Sequence, residues 1–376
     1  VLGLYVHVPF CLSKCHYCDF YSLRHNLADE EAYVSALLHE IDLKGMLWGQ
    51  AADTLYFGGG TPSTLRLKSL ELMLEALDRN FPRAMPSETT FEVNPGTVQA
   101  TDFVLLRKLG INRLSIGLQS HLDSQLSLLG RPHNLADFHN TVRALKSAGF
   151  RNFSVDALYG LPGQTLGDYL ATLDFIVSTG ATHVSAYALQ IEPGTQFALL
   201  EQQGRLVVSD EDQVADMMLE GRDFLRARGF MHYEISNFAL PGYESKHNML
   251  YWRNRNYLGF GPSAASFVGQ RRSVNVADID SYGRALGQGR LATSACEKLT
   301  RPLEMAETMI LGLRMIEEGV NRAQFALRFG IDPLDYYGEQ IATGVLQGLL
   351  QVDDKTLRLT AKGFPLASQV QMAFLP

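Results

Sequence analysis

Six short apolar segments alternate with helical patterns through the first two thirds of the chain, and that alternation limits the possible folds more than any other feature. The segments are Leu4–Val8, Thr54–Phe57, Thr89–Val93, Arg113–Ile116, Phe153–Ala157 and His183–Ala188, each rich in β-branched or aromatic residues. Between them apolar residues recur at helical spacing. Asp29 is expected to cap a stretch through Ala36, Leu37 and Ile41, and Leu67–Leu77, Asp102–Leu109, Ala136–Ala148 and Asp168–Val177 repeat the pattern. Gly110, Gly149 and Gly180 stand where helices should stop. Strands separated by helices pair in parallel and carry the helices outside the sheet. The expected fold class is therefore α/β. Six units with room for a large site predict a partial (β/α)6 TIM-like barrel, open on one side. A doubly wound sheet satisfies the same periodicity.

Beyond Pro241-Gly242 the pattern changes, and Gly, Asn, Tyr and Ser become frequent up to about Gly289. The predicted division is a core over 1–240, a connecting segment over 241–290 and a small carboxyl-terminal domain over 291–376. That domain reads as an amphipathic helix Glu297–Glu317, a short helix capped by Asn321 and running to Phe329, and a third helix over Pro333–Leu349. Leu350–Val352 and Thr356–Leu359 then flank Asp353-Asp354 as a hairpin. Three helices and a hairpin are a winged-helix-like order, which often serves DNA binding. Here the helix before Gly330 offers only Arg322 and Arg328 as cations, so a structural or docking role is expected.

The net charge of −7 argues in the same direction, against nucleic acid as a partner. Hydrophobic residues make up 46% of the 376, enough for a sizeable core. No apolar run reaches the length that spans a bilayer, and the opening VLGLYVHV reads as a strand rather than a leader, so a cytoplasmic protein is expected.

The chemistry concentrates in Cys11-x-x-x-Cys15-x-x-Cys18, just after the first strand. Three thiolates on one loop can hold three corners of a [4Fe–4S] cubane. The fourth iron then stays open and can chelate the amino and carboxylate groups of S-adenosylmethionine (SAM). Such a cluster passes an electron to the sulfonium and releases a deoxyadenosyl radical. A zinc site would want a fourth ligand, which His7 or His16 could supply. Cys296 stands alone and is expected to be a buried structural thiol.

Other candidates follow the same geometry. Gly58-Gly59-Gly60-Thr61-Pro62 comes after the second strand, where bare backbone can approach a ligand closely. Glu92, Gln119 and Asp156 lie at the ends of later strands, and Arg131 lies in a loop beyond. In a (β/α) barrel those strand ends share one face, and that face carries the site. Glu92 and Asp156 suit ribose hydroxyls or an ammonium, and Arg131 suits a carboxylate. Singly, each of these residues reads equally well as a solvated or helix-capping position. Tyr17 precedes the third cysteine, where its ring can pack beside cluster and SAM or simply fill the loop. His247 sits among aromatics in YEISNF and HNMLYW, a stretch without strong secondary structure. It reads as a heme ligand or as a satisfied structural histidine. Tyr257–Ala265 adds a glycine-rich turn near the site.

These residues together resemble a known family. The cysteine loop with GGGTP resembles the radical SAM superfamily. The YxHxPFC opening, DALYGLPGQT, AYALQIEPGT, YEISNFA, HNMLYW and YLGFGPSA resemble its branch of oxygen-independent coproporphyrinogen III oxidases and heme chaperones, over nearly the whole chain. The resemblance implies a radical SAM barrel with Cys11, Cys15 and Cys18 as cluster ligands. It implies that Tyr5, Tyr17, Gly59, Gly60, Thr61, Glu92, Gln119, Arg131 and Asp156 bind SAM, and that His247 binds heme. Two departures favour the chaperones. Phe20 stands where the oxidases carry a further cysteine, and the oxidases' amino-terminal arm has no counterpart here. Gln190 stands where the chaperones commonly have Thr, and Ala265 where they commonly have His. The implied function is binding heme and delivering it to membrane respiratory cytochromes, from the cytoplasm or peripherally at the inner membrane, with a homodimer as an option. SAM cleavage fits this reading and coproporphyrinogen oxidation is not expected. The alternatives are that oxidation, or radical modification of heme itself.

Overall fold

The computed structural model describes residues 1–376, without the side chains of residues 84–86. Its centre is six parallel strands: β1 (Leu2–Val8), β2 (Ala52–Gly59), β3 (Arg83–Val93), β4 (Arg113–Gln119), β5 (Phe153–Tyr159) and β6 (His183–Ala188). Each pairs with the next in sequence order. A doubly wound sheet would reverse its strand order at a switch point. This sheet has no such reversal among β1–β6, and right-handed crossovers in one direction put the helices on one side. The partial barrel is the outcome.

Both edges are extended. Asn237–Ala239 and Met231–Glu234 add antiparallel strands beyond β6, and Asn256–Phe260 lies parallel to β1. Ala265–Val268, Arg271–Asn275 and Thr293–Lys298 continue outward to complete a twelve-stranded sheet. The segment expected as a connection is thus largely sheet, and HNMLYW forms the helix Lys246–Trp252. Its Ser245 cap accepts from the Asn248 N–H, a signal that aromatic crowding hid in the sequence.

Strand alternation sorts the side chains. Leu55, Phe57, Phe91, Leu114, Ile116 and Val155 face the helices and form the main core with Leu37, Leu74, Phe103 and Phe138. The intervening residues are polar: Thr54 and Tyr56, Glu88 and Glu92, Arg113 and Ser115, Ser154 and Asp156, His183 and Ser185. They point the other way, into the barrel. The barrel interior is therefore a column of polar groups inside an apolar shell.

Helix ends follow local chemistry. Gly110, Gly149 and Gly180 take positive φ at the stops. The first helix, Leu27–Trp48, starts earlier than expected, because Asn26 accepts from the Asp29 N–H at 2.9 Å and Asp29 is its first-turn acid. Glu297 lies in the edge strand Thr293–Lys298 and not in a helix. Cross-strand pairing with Arg271–Asn275 overrides the helical pattern there, and the helix runs from Arg301 to Gly312 with Thr300 as its cap. Cys296, on that strand, is exposed rather than buried. The expected helix over Pro333–Leu349 is two, Pro333–Tyr336 and Gly338–Leu346, broken where Tyr337 turns into a second core. Asn321 caps Arg322–Phe329, and the hairpin pairs Leu350 with Leu359 and Val352 with Leu357. Met309, Leu313, Phe325, Phe329 and Leu357 fill this second core. Its two candidate cations are spent internally, Arg322 on Asp332 at 3.1 Å and Arg328 on Glu304 at 2.6 Å.

Candidate functional site

The cysteine loop hangs from the carboxyl end of β1. A two-residue ladder, Phe10–Cys11 against Leu23–Arg24, ties its base together. His25 N donates to Cys11 O at 2.9 Å, and Cys18 N donates to Cys15 O at 3.3 Å to close the tip. All three thiols are half-buried. Burial pushes the Cys18 thiol up, against an opposing N–H from Phe20.

Two of the sulfurs are already addressed by donors. Thr61 Oγ1 donates to Cys11 Sγ at 3.4 Å, and Arg131 Nη1 donates to Cys15 Sγ at 3.5 Å. Asn94 joins the two donors: its Nδ2 reaches Thr61 Oγ1 at 2.8 Å and its Oδ1 accepts from Arg131 Nη2 at 2.6 Å. Arg131 also donates to the Gly117 carbonyl at 2.7 Å, and a Cβ on Gly117 would stand only 2.9 Å from the guanidinium. Burial opposes the charge on Arg131, and the facing Tyr17 and Cys15 more than restore it. Donors aimed at sulfur suit thiolates, and hydrogen bonds to sulfur are a means of setting cluster potential.

The zinc alternative fits poorly. Among the described residues, no three His, Cys, Asp or Glu side chains gather around one ion position. Cubane ligands each hold a separate iron and need no common point. His7 has Tyr21 O at 3.0 Å from Nε2 and the Tyr5 hydroxyl at 3.2 Å from Nδ1. His16 spends Nδ1 on Leu128 O at 2.9 Å, with its ring wedged on Gly130, where a Cβ would come within 2.7 Å.

Beside the loop, Gly58–Gly60 present bare backbone. Gly59 has φ 110°, and a Cβ on Gly60 would meet the Phe10 carbonyl oxygen at 2.7 Å. Only glycine allows this contact between the β2 end and the cysteine loop. Glu92 and Asp156 follow in the lumen. Tyr56 donates to Glu92 Oε1 at 2.7 Å, and Ser115 donates to Asp156 Oδ1 at 3.3 Å. Burial raises Glu92 to about 7, with Asp156 adding to the effect against the Tyr56 hydrogen bond. Burial also raises Asp156, over opposing help from Ser185 and Arg113. Two carboxyls held reluctant to ionise are suited to a cationic or hydroxyl-rich ligand, which relieves both. Gln119 ends β4 at φ 75°, an uncommon conformation for a non-glycine residue and one that recurs at functional sites. Tyr17 packs among Leu129, Leu158 and Phe197, and burial raises its phenol.

From these groups a cavity of about 800 Å³ opens toward the carboxyl-terminal domain. Its inner wall is Tyr5, His7, Gly59 and Glu92. Its outer wall includes Tyr251, Trp252, Tyr257, Phe267 and Leu311, with Arg272 as the cation. Phe20 and Ala265 also line it, so both departures fall on the cavity surface, whereas Gln190 is exposed in the loop after β6.

His247 is not on that surface. It is 1% exposed and lies behind Tyr251. Its Nδ1 is 2.8 Å from Thr54 Oγ1 and its Nε2 is 2.8 Å from Tyr251 Oη. The ring stacks on Tyr56 at 5.1 Å. Burial, with help from the Arg113 cation, lowers its pKa to about 3. The expected heme ligand thus has both ring nitrogens engaged. Sequence reasoning also passed over Asn94, Tyr56, Thr54 and Tyr251. For Tyr251 the signal was present, since it follows His247 by one helical turn.

The comparisons agree with this geometry. Residues 5–176 match the radical SAM superfamily and residues 299–366 match the HemN C-terminal domain. The solved structure of coproporphyrinogen III oxidase (HemN) from Escherichia coli, a radical SAM enzyme, superposes with a TM-score of 0.84 at 25% identity. The match covers 99% of this chain and 89% of that one. The protein is of the radical SAM class, and that class brings a [4Fe–4S] cluster and SAM. Heme chaperone HemW of Bacillus subtilis (strain 168) is 35% identical over 99% of this chain and 98% of its own length. HemW of Lactococcus lactis subsp. lactis (strain IL1403) is 34% identical over 99% and 96%. The chain belongs to the HemW family of heme chaperones.

Proposed function

We propose that this protein carries heme and delivers it to membrane respiratory cytochromes. The observation that carries the reading is one cavity lined by Asp19-Phe20-Tyr21, next after Cys18, by Gly59 and Glu92 at the strand ends, and by the aromatic wall with Tyr251 and Trp252 of the HNMLYW helix. Cys11, Cys15 and Cys18 hold the cluster, which when bound supplies an electron to SAM. Thr61, Asn94 and Arg131 orient the thiolates and balance their charge. Gly59 and Gly60 offer backbone to the methionine moiety of SAM, and Glu92 and Asp156 accept from its amino group and ribose hydroxyls. Tyr5, Tyr17 and Gln119 complete that pocket. The aromatic wall excludes water from a planar cargo, and His247 belongs to the heme side. The three functional units are residues 1–240, 241–290 and 291–376, the last a docking module.

Among the described residues no helix is long and apolar enough to cross a membrane. Peripheral attachment at the inner membrane and a homodimer belong to the same proposal. The test is transfer. Heme-loaded protein, mixed anaerobically with vesicles bearing apo-cytochrome, should lose its Soret band as the cytochrome gains one. Heme retention in the presence of a competent acceptor contradicts the reading.

A second reading, coproporphyrinogen III oxidation, draws on the likeness to the oxidase structure. Phe20 speaks against it: a 62% exposed ring on the cavity wall occupies the position of the oxidases' further cysteine. Absence of decarboxylated porphyrin after anaerobic incubation with reductant and SAM is the expected result.

A further inference from the structure

We infer that Tyr251, rather than His247, supplies the protein oxygen that binds the iron of ferric heme, with His247 as the positioning residue behind it. This rests on the heme-carrier reading and deepens it. Tyr251 lines the 800 Å³ cavity and His247 does not. The two are one helical turn apart on Lys246–Trp252, so their side chains share a face. The rings meet edge to face at 4.9 Å, and Nε2 stands 2.8 Å from the phenol oxygen. A heme entering the cavity meets the phenol first, and the imidazole only if Tyr251 is displaced.

The rest of the neighbourhood fits this division of labour. In the tautomer this proposal requires, the Thr54 hydroxyl donates to Nδ1 and the ring proton sits on Nε2, facing the Tyr251 oxygen. His247 can then stay neutral, as its burial beside Arg113 requires. Burial holds the free phenol well above its ordinary pKa, so the phenolate forms only as iron binds, and the His247 N–H then supports it without any proton passing to the imidazole. Glu88 fixes the helix start by accepting from the Lys246 and His247 N–H groups, both at 3.0 Å. Tyr257 holds the Tyr251 ring from the other side, edge to face at 4.7 Å.

The step balances with ferric heme hydroxide as the incoming cargo. The iron–hydroxide bond breaks and the iron–phenolate bond forms. The phenol proton leaves with the hydroxide as water, and iron stays ferric. Tyrosine is a known haem ligand, and a hard anionic oxygen favours ferric over ferrous iron. Ferrous heme is therefore expected to bind more weakly than ferric heme.

The test is spectroscopic and uses cluster-loaded protein titrated anaerobically with ferric heme, then with ferrous heme. Wild type should show a phenolate-to-iron charge-transfer band and bind ferric heme the more tightly. Tyr251→Phe, which keeps the ring packing, should lose the band and weaken ferric binding at least about tenfold, the scale of one good contact. Tyr251→His should replace the band by an imidazole signature. His247→Gln should keep a band, shifted, because the amide still donates. Tyr336→Phe, at an exposed tyrosine of the carboxyl-terminal domain away from the cavity, should leave the ligation unchanged. An imidazole signature in wild type that survives Tyr251→Phe and vanishes in His247→Gln overturns the assignment. Wild type that binds no heme in either oxidation state removes the carrier reading itself.

Discussion

The two ends of the barrel lumen are built from the same alternating strands and treat their polar groups in opposite ways. At the amino end most of the polar side chains are spent, with Arg113 Nε and Thr90 Oγ1 as exceptions. Glu88 caps a helix, and His183 sits between Ser154 at 2.7 Å and Tyr233 at 2.8 Å. His247 is held between Thr54 and Tyr251. At the carboxyl end capacity is left over. Glu92 and Asp156 are pushed toward protonation, Arg131 Nε has no partner, and the three thiols are only half-buried. A saturated polar group holds structure together, because breaking its bond costs the full desolvation of the partner. An unsaturated one stores that cost until a ligand removes it. Tyr251 stands at the boundary, bonded to the closed end and facing the open one.

The largest expected effect falls on the open end. Any one of Cys11→Ala, Cys15→Ala or Cys18→Ala should abolish the cluster, read as loss of iron and of its visible absorbance, with little change in folding. At the closed end the converse holds. Glu88→Ala strips the buried His247 N–H and the half-buried Lys246 N–H of their acceptor and should destabilise the protein by about 2–3 kcal/mol in urea unfolding. Its iron content should follow that of wild type while the fold lasts.

Glu92 sharpens the contrast through pH. Folded, it titrates at about 7, against 4.5 for the free side chain. Between those values the folded state keeps a proton that the unfolded state has lost, so stability falls as pH rises through that window. Glu92→Gln should remove this slope and stabilise the ligand-free protein at pH 8 by about 3 kcal/mol. In wild type, SAM affinity should rise with pH across 7, since the ionised carboxylate accepts from the ligand's amino and hydroxyl hydrogens. The variant should bind SAM weakly at every pH.

Asn94→Ala is expected to do less. It leaves Thr61 and Arg131 in place but unties them, so hydrogen bonding to the cluster sulfurs weakens. The cluster potential should move negative in a redox titration, with a stability loss of about 1 kcal/mol. Smallest of all, Arg253→Ala breaks the surface pair with Glu318 and should cost no more than about 0.5 kcal/mol.

How much of this was legible in the sequence depended on distance along the chain. The six central strands were readable because each is a local run of apolar and β-branched residues. The cysteine loop was readable because its ligands lie within eight residues. Strand-end candidates could be named because the barrel rule carries them to one face. Edge strands escaped: Thr293–Lys298 is exposed along its whole length, and nothing in its own pattern marks it as sheet. Asn94 escaped because its value lies in joining Thr61, 33 residues before it, to Arg131, 37 after. His247 was found and its surroundings were not. The Thr54 hydroxyl that occupies its Nδ1 is 193 residues away, and no spacing rule reaches that far.

The central claim is that the open end works as a heme site, and filling the cavity tests it most directly. Ala265 lies on the cavity wall, so Ala265→Trp puts an indole into the space assigned to heme and leaves the cysteine loop untouched. Anaerobic heme titration of cluster-loaded protein, followed at the Soret band, should give saturable stoichiometric binding in wild type. In the variant that binding should be gone while the iron content is unchanged. Wild-type heme affinity in Ala265→Trp would contradict the account and place the cargo elsewhere on the molecule.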